Sequence, residues 1–387
     1  MDLSRDLLAA SAAAVIGRTA ADGASLVATA AGGGAGAVAA LASTPGASRV
    51  LLEGLVPHAR AAVDRLLGGK QESYCSSRAS RRLAMAAWAR ARALGAPAGG
   101  ALGAAVTASL ATVRPKQGDH RAVVAVQSLA ATAVHSLAFS KGLRTRSAEE
   151  DVAAWLLLAA VAAECGTPVP LPGRPALQPD EEIVVQRVVA PAPWRALLAG
   201  DRRGVSAIDG DAPGGTPGRL LFPGSFDPLH DGHRGMATVA ARIVGREVEY
   251  ELSIENVDKP ALDYVEIAAR QARFVGATLW LTRAATFVEK TALFPGAFFV
   301  LGADTFTRLW DRRYYGGSAA AADDAVRWIA ASVAGLIVFG RLQDGAFVSA
   351  DRPDTPAPLR AVARFVTEEE FRCDLSSTQL RRAGAAS

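Results

Sequence analysis

The stretch that decides the reading is Arg219-Leu220-Leu221-Phe222-Pro223-Gly224-Ser225-Phe226-Asp227-Pro228-Leu229-His230-Asp231-Gly232-His233. An apolar run, Arg219–Phe222, predicts a short buried strand. Gly224 lets the backbone turn sharply, and Asp231–Val244 carries helical spacing. A strand that turns directly into a helix leaves the helix's first N–H groups and positive dipole end beside the strand's carboxyl end, which suits a phosphate. His230 and His233 are three apart and share one face of the first turn. Ser225 offers a hydroxyl and an amide, and Gly232 leaves room for a ligand between the imidazoles. Two imidazoles plus free amides fit a displacement at phosphorus, in which charge on non-bridging oxygens is stabilised without a covalent intermediate. Only five histidines occur in the chain, so two in one turn weigh against a merely packed corner.

Downstream, strand and helix alternate. Strands are predicted at Val248–Ile254, Thr278–Leu281, Phe298–Leu301 and Gly335–Phe339. Helices are predicted at Asp263–Val275, Ala320–Ala331 and Ser377–Ala383. Short apolar strands separated by helices indicate a parallel sheet covered on both faces. Such a sheet binds ligands beyond the carboxyl ends of its strands.

Upstream, the pattern is mixed. Helices are predicted at Leu3–Ile16, Ala35–Leu41, Arg78–Leu94 and Glu149–Cys165. Strands are predicted at Ser25–Thr29, Ala104–Thr112 and Val123–Val126. Between the halves, Pro168, Pro170, Pro172, Pro175 and Pro179 crowd one end of a stretch that closes on the Gly/Pro/Asp-rich 209–218. It reads as an ordered crossing with a strand at Ile183–Val189 and a short helix at Pro193–Ala199. The expected organisation is therefore an N-terminal α/β domain over 1–165, a connection over 166–218 and a Rossmann-like domain over 219–387.

Length and composition agree. The 387 residues favour two domains, and 50% hydrophobic with 21% charged residues excludes global disorder. Alanine dominates the apolar count, so lean, tightly packed cores are expected. Three cysteines, Cys75, Cys165 and Cys373, are too few and too scattered for a disulfide framework or a four-ligand zinc site. A reduced, cytoplasmic setting follows as the simple expectation. The net charge of +4, without a polybasic tract, predicts neither nucleic acid nor an anionic membrane as partner. The apolar 152–163 stretch is too short to span a bilayer. The N-terminus lacks a signal peptide's basic start and compact apolar core.

The histidine segment resembles the nucleotidylyltransferase superfamily, whose signature is a small residue plus Phe-Asp-Pro followed by His-x-Gly-His. Ser376-Ser377-Thr378-Gln379-Leu380-Arg381 resembles its second element, Ser-Ser-Thr-x-x-Arg. Physically, Ser376 or Ser377 can cap the last helix, and hydroxyls, amides and Arg381 can meet the same phosphates. Within the superfamily the likeness is greatest to nicotinamide or nicotinate mononucleotide adenylyltransferases. Leu301-Gly302-Ala303-Asp304-Thr305-Phe306 resembles their Gly-x-Asp element, which implies a nucleotide contact for Asp304. Asn256-Val257-Asp258-Lys259-Pro260 stands where those enzymes carry an Asn-Pro-x-x-Lys-like segment. That implies a phosphate contact for Lys259, although the proline after Asn is missing. Lys290, in Thr286-Phe287-Val288-Glu289-Lys290, is a second phosphate candidate. The likeness implies catalysis by His230, His233 and Arg381, and nucleotide binding by Gly224, Ser225, Phe226, Gly232, Lys259, Gly302, Asp304, Ser376, Ser377 and Thr378. The implied reaction is attack of a mononucleotide phosphate on ATP, assisted by Mg²⁺, with release of pyrophosphate. Trp280 reads as core, and Trp310 as core or as a stacking platform.

The first half resembles the CinA-type nicotinamide-nucleotide amidohydrolase domain. The likeness rests on Gly33-Gly34, Thr44–Val50, Leu66-Leu67-Gly68, Gly103–Thr107 and Phe139–Arg146. Active members carry Ser in a Ser-Cys-Thr-Gly-Gly-like stretch, and Tyr and Lys in a Tyr-Ser-Asn-x-x-x-Lys-like stretch. Here the first reads Thr29-Ala30-Ala31-Gly32-Gly33 and the second His58-Ala59-Arg60-Ala61-Ala62-Val63. The likeness thus implies a domain without deamidase activity, serving homo-oligomer formation, ligand sensing or scaffolding, with a glycine loop able to cradle a phosphate. The alternatives are nucleotidyl transfer to another phosphorylated acceptor, adenylyl or cytidylyl, and a non-catalytic nucleotide-binding regulator.

Overall fold

The computed structural model describes residues 3–114, 116–165, 169–214, 216–257, 259–343 and 346–372. The chain divides into two compact units, 1–195 with 258–266, and 196–257 with 267–387.

The first unit runs α1 (Leu3–Ala21), β1 (Ser25–Ala31), α2 (Ala35–Ser43), β2 (Leu51–Leu55), α3 (Arg60–Leu67), α4 (Ser77–Ala93), β3 (Ala101–Ser109), β4 (His120–Gln127), β5 (Ala131–Phe139), α5 (Arg146–Glu164) and β6 (Ile183–Val189). Its six strands lie in the order β2-β1-β3-β4-β5-β6. β1 is parallel to β2 and β3, whereas the ladders from β3 to β6 are antiparallel. Helix starts follow local chemistry. Ser76 caps α4 by accepting from the Ala79 amide, and Thr145 caps α5 from the Ala148 amide, each at 3.2 Å. The core is lean, as the alanine content predicts. At Gly103 a Cβ would stand 2.2 Å from the carbonyl oxygen of Ala84 and 2.2 Å from the amide nitrogen of Trp88. Only glycine lets α4 lie this close to β3.

The connection is more structured than a crossing requires. Its predicted strand is β6, which pairs with β5 over seven residues, because Ile183–Val189 is β-branched and apolar enough to extend the sheet.

The second unit continues with α6 (Ala192–Ala199), whose first residues belong to the first unit, then β7 (Gly204–Ser206), β8 (Leu220–Pro223), α7 (Asp231–Val244), β9 (Val248–Ser253), α8 (Tyr264–Gln271), β10 (Leu279–Thr282), α9 (Phe287–Leu293), β11 (Phe298–Gly302), α10 (Ala303–Thr307), α11 (Ala319–Ser332), β12 (Gly335–Phe339), β13 (Arg341–Gln343), β14 (Ala346–Val348), α12 (Ala357–Val362) and β15 (Ala363–Val366). Seven strands form one sheet in the order β15-β12-β11-β8-β9-β10-β7. All its ladders are parallel except that of β7, an antiparallel edge on β10. This is the α/β, doubly covered architecture expected of the alternating pattern. β8, in the middle of the order, is buried along its whole length. Gly245, at φ 71°, ends α7 in the left-handed conformation. Among the described residues no helix is long and apolar enough to cross a membrane.

The second unit does not own all of its own half. Residues 258–266, which include the first turn of α8, cluster with the first unit. Arg81 there donates to both carboxylate oxygens of Asp263 at 2.6 Å. The hydroxyl of the fully buried Tyr264 donates to the Leu129 carbonyl at 2.9 Å, and its ring stacks with Trp194.

Candidate active site at the start of helix α7

β8 delivers the chain to its carboxyl end at Pro223. The Gly224 amide donates to the Glu251 carbonyl on neighbouring β9 at 3.0 Å. A Cβ on Gly224 would stand 2.6 Å from the Phe226 ring, so the turn needs glycine. Phe226 itself adopts a positive φ of 45°, an unfavourable conformation for a bulky residue. Its burial holds it there. The ring meets Phe222, Tyr250, Phe274 and His233 edge-on, with centroids 5.2–5.5 Å away. The Asp227–Pro228 bond that follows is cis. Arg270, from α8, is 7% exposed. It donates through Nη1 to the Ser225 carbonyl at 2.7 Å, and its Nη2 lies 3.8 Å from Asp227. The Ser225 side chain is exposed.

His230 is the N-cap residue of α7. Its backbone amide donates to Nδ1 of His233 at 3.3 Å. This bond assigns the neutral His233 proton to Nε2, leaving that nitrogen as a donor. The two rings lie 3.8 Å apart between centroids, tilted by 34°. Burial, and secondarily the neighbouring His230, pushes His233 down to about 4. Burial also lowers His230, against a smaller opposing pull from Asp231. At neutral pH the pair therefore presents neutral imidazoles in a half-buried corner, beside the first amides of a fourteen-residue helix. Such a site gains from any anion that enters it.

Other sequence-predicted residues distribute unevenly. Gly302 ends β11 and caps α10. β11 is the parallel neighbour of β8, so Gly302 and Asp304 rise from the same sheet edge as Gly224 and His233. Asp304 is exposed and ion-paired with Arg341. Gly232 is buried inside the first turn of α7. Lys259 is exposed and belongs to the segment that clusters with the first unit. Lys290 is not an open phosphate ligand. Its ammonium donates to both oxygens of the buried Glu251, at 2.9 and 2.8 Å, and to the Ala284 carbonyl at 2.8 Å. Its three protons are thus engaged inside the protein. Trp280 is core, as expected, with its indole N–H on Glu249 at 2.5 Å. Trp310 is half-buried and edge-on to Phe306.

Ser376, Ser377, Thr378 and Arg381 lie outside the described residues. The chain leads toward them from Phe371. Its ring covers Gly235 on α7, where a Cβ would stand 2.6 Å away, and meets Phe339 edge-on. Sequence reasoning missed Arg270. One arginine within an amphipathic helix carries no spacing signal.

In the first unit, a cavity of about 500 Å³ opens at the carboxyl end of β1, lined by Gly32, Gly33, Val56, His58, Arg146 and Glu150 among others. The glycine loop expected to cradle a phosphate already holds an anion of the protein's own. The Glu150 carboxylate accepts from the Gly34 amide at 2.8 Å and from the Gly36 amide at 3.3 Å. Thr29 is buried, as is Val63, which packs with Leu67, Leu83 and Ala84. Among the described residues no group of three or more His, Cys, Asp and Glu side chains converges on a metal position.

Residues 221–383 match the cytidylyltransferase-like family, so the C-terminal half carries a nucleotidyltransferase-like domain. No curated protein matches the chain. Among solved structures, the chain is similar to a competence-damaged protein (CinA) superfamily protein from Escherichia coli, at 17% identity over 42% of this chain and 91% of that one, with TM-score 0.35. It is also similar to the competence damage-inducible protein A of Klebsiella pneumoniae, at 20% identity over 42% and 96%, with TM-score 0.34, and to a competence/damage inducible protein from Agrobacterium tumefaciens, at 18% identity over 39% and 91%, with TM-score 0.34.

Proposed function

We propose that the C-terminal half is an adenylyltransferase that moves AMP from ATP to nicotinamide or nicotinate mononucleotide and releases pyrophosphate. The observation that carries this reading is the pair of imidazoles, His230 and His233, with ring centroids 3.8 Å apart, seated on the N-terminus of α7 at the end of a buried central strand. The nucleotidyltransferase-like match over 221–383 supports the reaction class. The Gly302–Asp304 turn on the neighbouring strand supports a nucleotide at the same edge.

In this mechanism a phosphate oxygen of the mononucleotide attacks the α-phosphorus of ATP. The new P–O bond forms as the bond to the bridging oxygen breaks, and pyrophosphate leaves with the electron pair. His233 Nε2–H and an N–H of His230 donate to non-bridging oxygens as charge builds there. The turn at Gly224 and Phe226, held by Arg270, fixes where those donors stand, and positioning supplies much of the remaining acceleration. No side-chain nucleophile is required. The residues fit a cation carried in by the triphosphate better than one caged by protein, since no carboxylate cluster converges here among the described residues. When bound, Mg²⁺ would neutralise the departing pyrophosphate. Ser376, Ser377, Thr378 and Arg381 are assigned to the β- and γ-phosphates, and Lys259 to a phosphate of either substrate.

The first unit, in the same reading, has no amidohydrolase activity. No serine stands in the Thr29–Gly33 stretch, a buried apolar Val63 cannot replace the lysine, and Glu150 fills the amide cradle.

The test is pyrophosphate release from ATP with a panel of acceptors: nicotinamide mononucleotide, nicotinate mononucleotide and phosphopantetheine. Release with a pyridine mononucleotide is expected. Release with phosphopantetheine alone overturns the acceptor assignment, and release with none overturns the enzymatic reading.

A further inference from the structure

β6 is the outermost strand of the first sheet, and β5 is the strand it pairs with. Its other edge carries no ladder among the described residues. Edge strands in soluble proteins are normally guarded by lysine, proline, a bulge or brevity. β6 has none of these. It is Ile183-Val184-Val185-Gln186-Arg187-Val188-Val189, seven residues in unbroken register with β5. Val184, Val185 and Val189 are 60%, 53% and 60% exposed, and they lie on both faces of the strand. Its one charge, Arg187, is engaged by Glu164 at 2.8 Å.

We propose that this edge is an interface with a second copy of the chain, formed by antiparallel pairing of β6 with β6 about a two-fold axis at Gln186. That is the register in which the strand pairs with its copy over its full length. With Gln186 opposite its own copy, Ile183 faces Val189, Val184 faces Val188 and Val185 faces Arg187. All seven residues pair: the two outer positions on each side are apolar against apolar, Val185 lies against Arg187, Gln186 lies against its own copy, and no like charges oppose each other. Shifting the axis one residue to Arg187 sets guanidinium against guanidinium and shortens the overlap, which disfavours it. Antiparallel pairing of identical edges is also the arrangement that closes, leaving no new edge to propagate. The resulting sheet has twelve strands, six from each copy. This proposal does not depend on the catalytic reading of the other unit.

The test is the mass of the intact protein in solution, by light scattering and sedimentation. A dimer is expected for the natural chain. Val185→Lys places an ammonium opposite Arg187 of the second copy and should weaken the dimer at least about 10-fold, the equivalent of ~1.4 kcal/mol. Val185→Glu places a carboxylate there and should leave the dimer as tight or tighter. A change that merely damaged the strand would affect both variants alike. Gln186→Cys puts two thiols across the axis, at a spacing that antiparallel neighbours and disulfides share. It should oxidise to a linked dimer at least about 10-fold faster than Val184→Cys, whose counterpart is a valine. A monomeric natural chain overturns the proposal. So does equal weakening by Lys and Glu, or equal cross-linking at 184 and 186.

Discussion

Arg270 and Ser225 are forty-five residues apart in the chain, yet the guanidinium of one donates to the main-chain carbonyl of the other at 2.7 Å. A buried arginine so placed does not need to touch substrate to matter. It holds the turn from which both imidazoles are presented, together with the positive-φ backbone at Phe226. Replacing it with lysine keeps the charge but loses the planar fork that reaches both Ser225 and Asp227. Arg270→Lys should therefore lower stability by about 1.5–3 kcal/mol and raise the KM for ATP. Denaturant unfolding and steady-state pyrophosphate release read the two effects. An unchanged KM would remove Arg270 from the positioning of the turn.

His233→Ala should reduce kcat by about 100- to 1,000-fold, the usual loss when one preorganised donor to a developing charge is deleted. Circular dichroism should stay that of the natural protein, because the helix keeps its other turns. Turnover within a few-fold of the natural enzyme would refute the assignment of His233 to the reacting phosphate.

The same histidine should make stability depend on pH. Its folded-state value, about 4, lies below the ordinary 6.5. Between these values the unfolded chain binds a proton that the folded chain refuses. Its contribution is thus fully present above pH 6.5 and is lost as pH falls toward 4. With the ring partly open to solvent, the loss should be on the order of 1–2 kcal/mol. Urea midpoints at pH 7 and pH 5 should separate for the natural protein and draw together for His233→Gln. Equal separation in both would place the acid sensitivity elsewhere.

Lys290 and Glu251 form a pair whose carboxylate is 1% exposed. Lys290→Met leaves that carboxylate buried without its cation and should cost about 3–5 kcal/mol, whereas the double change with Glu251→Leu should recover most of it. Were Lys290 instead a phosphate ligand, the single change would chiefly raise the KM for ATP and leave the unfolding midpoint in place.

The parts of this molecule that were legible in its sequence are the local ones. α7 begins and ends where its pattern predicts, because a capping position, an amphipathic repeat and a terminal glycine lie within one stretch. β12 is equally self-contained. The predicted helix over Asp263–Val275 starts one residue later, at Tyr264, and stops at Gln271, four residues early. β5 went unpredicted, although Ala131–Phe139 sits between two ladders. Its alanines and its single histidine lack the β-branched signature that marks β4. The site divides in the same way. His230, His233, Gly224 and Gly232 are neighbours in sequence and were legible as a group. Partnerships across the chain were not. Glu251 claims Lys290 from thirty-nine residues away, and Glu150 claims the glycine loop from more than a hundred. Such pairings are decided by tertiary geometry, which leaves no periodic trace.

Residues 258–266, which belong to one unit while lying within the other's half of the chain, bear on how this protein can be inherited and engineered. Its halves are not separable cassettes. A single cut near residue 196 strips Arg81 of Asp263 and leaves Tyr264, otherwise enclosed, facing water. A gene fusion that grafted either half onto a new partner would carry that defect with it, so recombination is constrained to move the two halves together or to rebuild this short excursion.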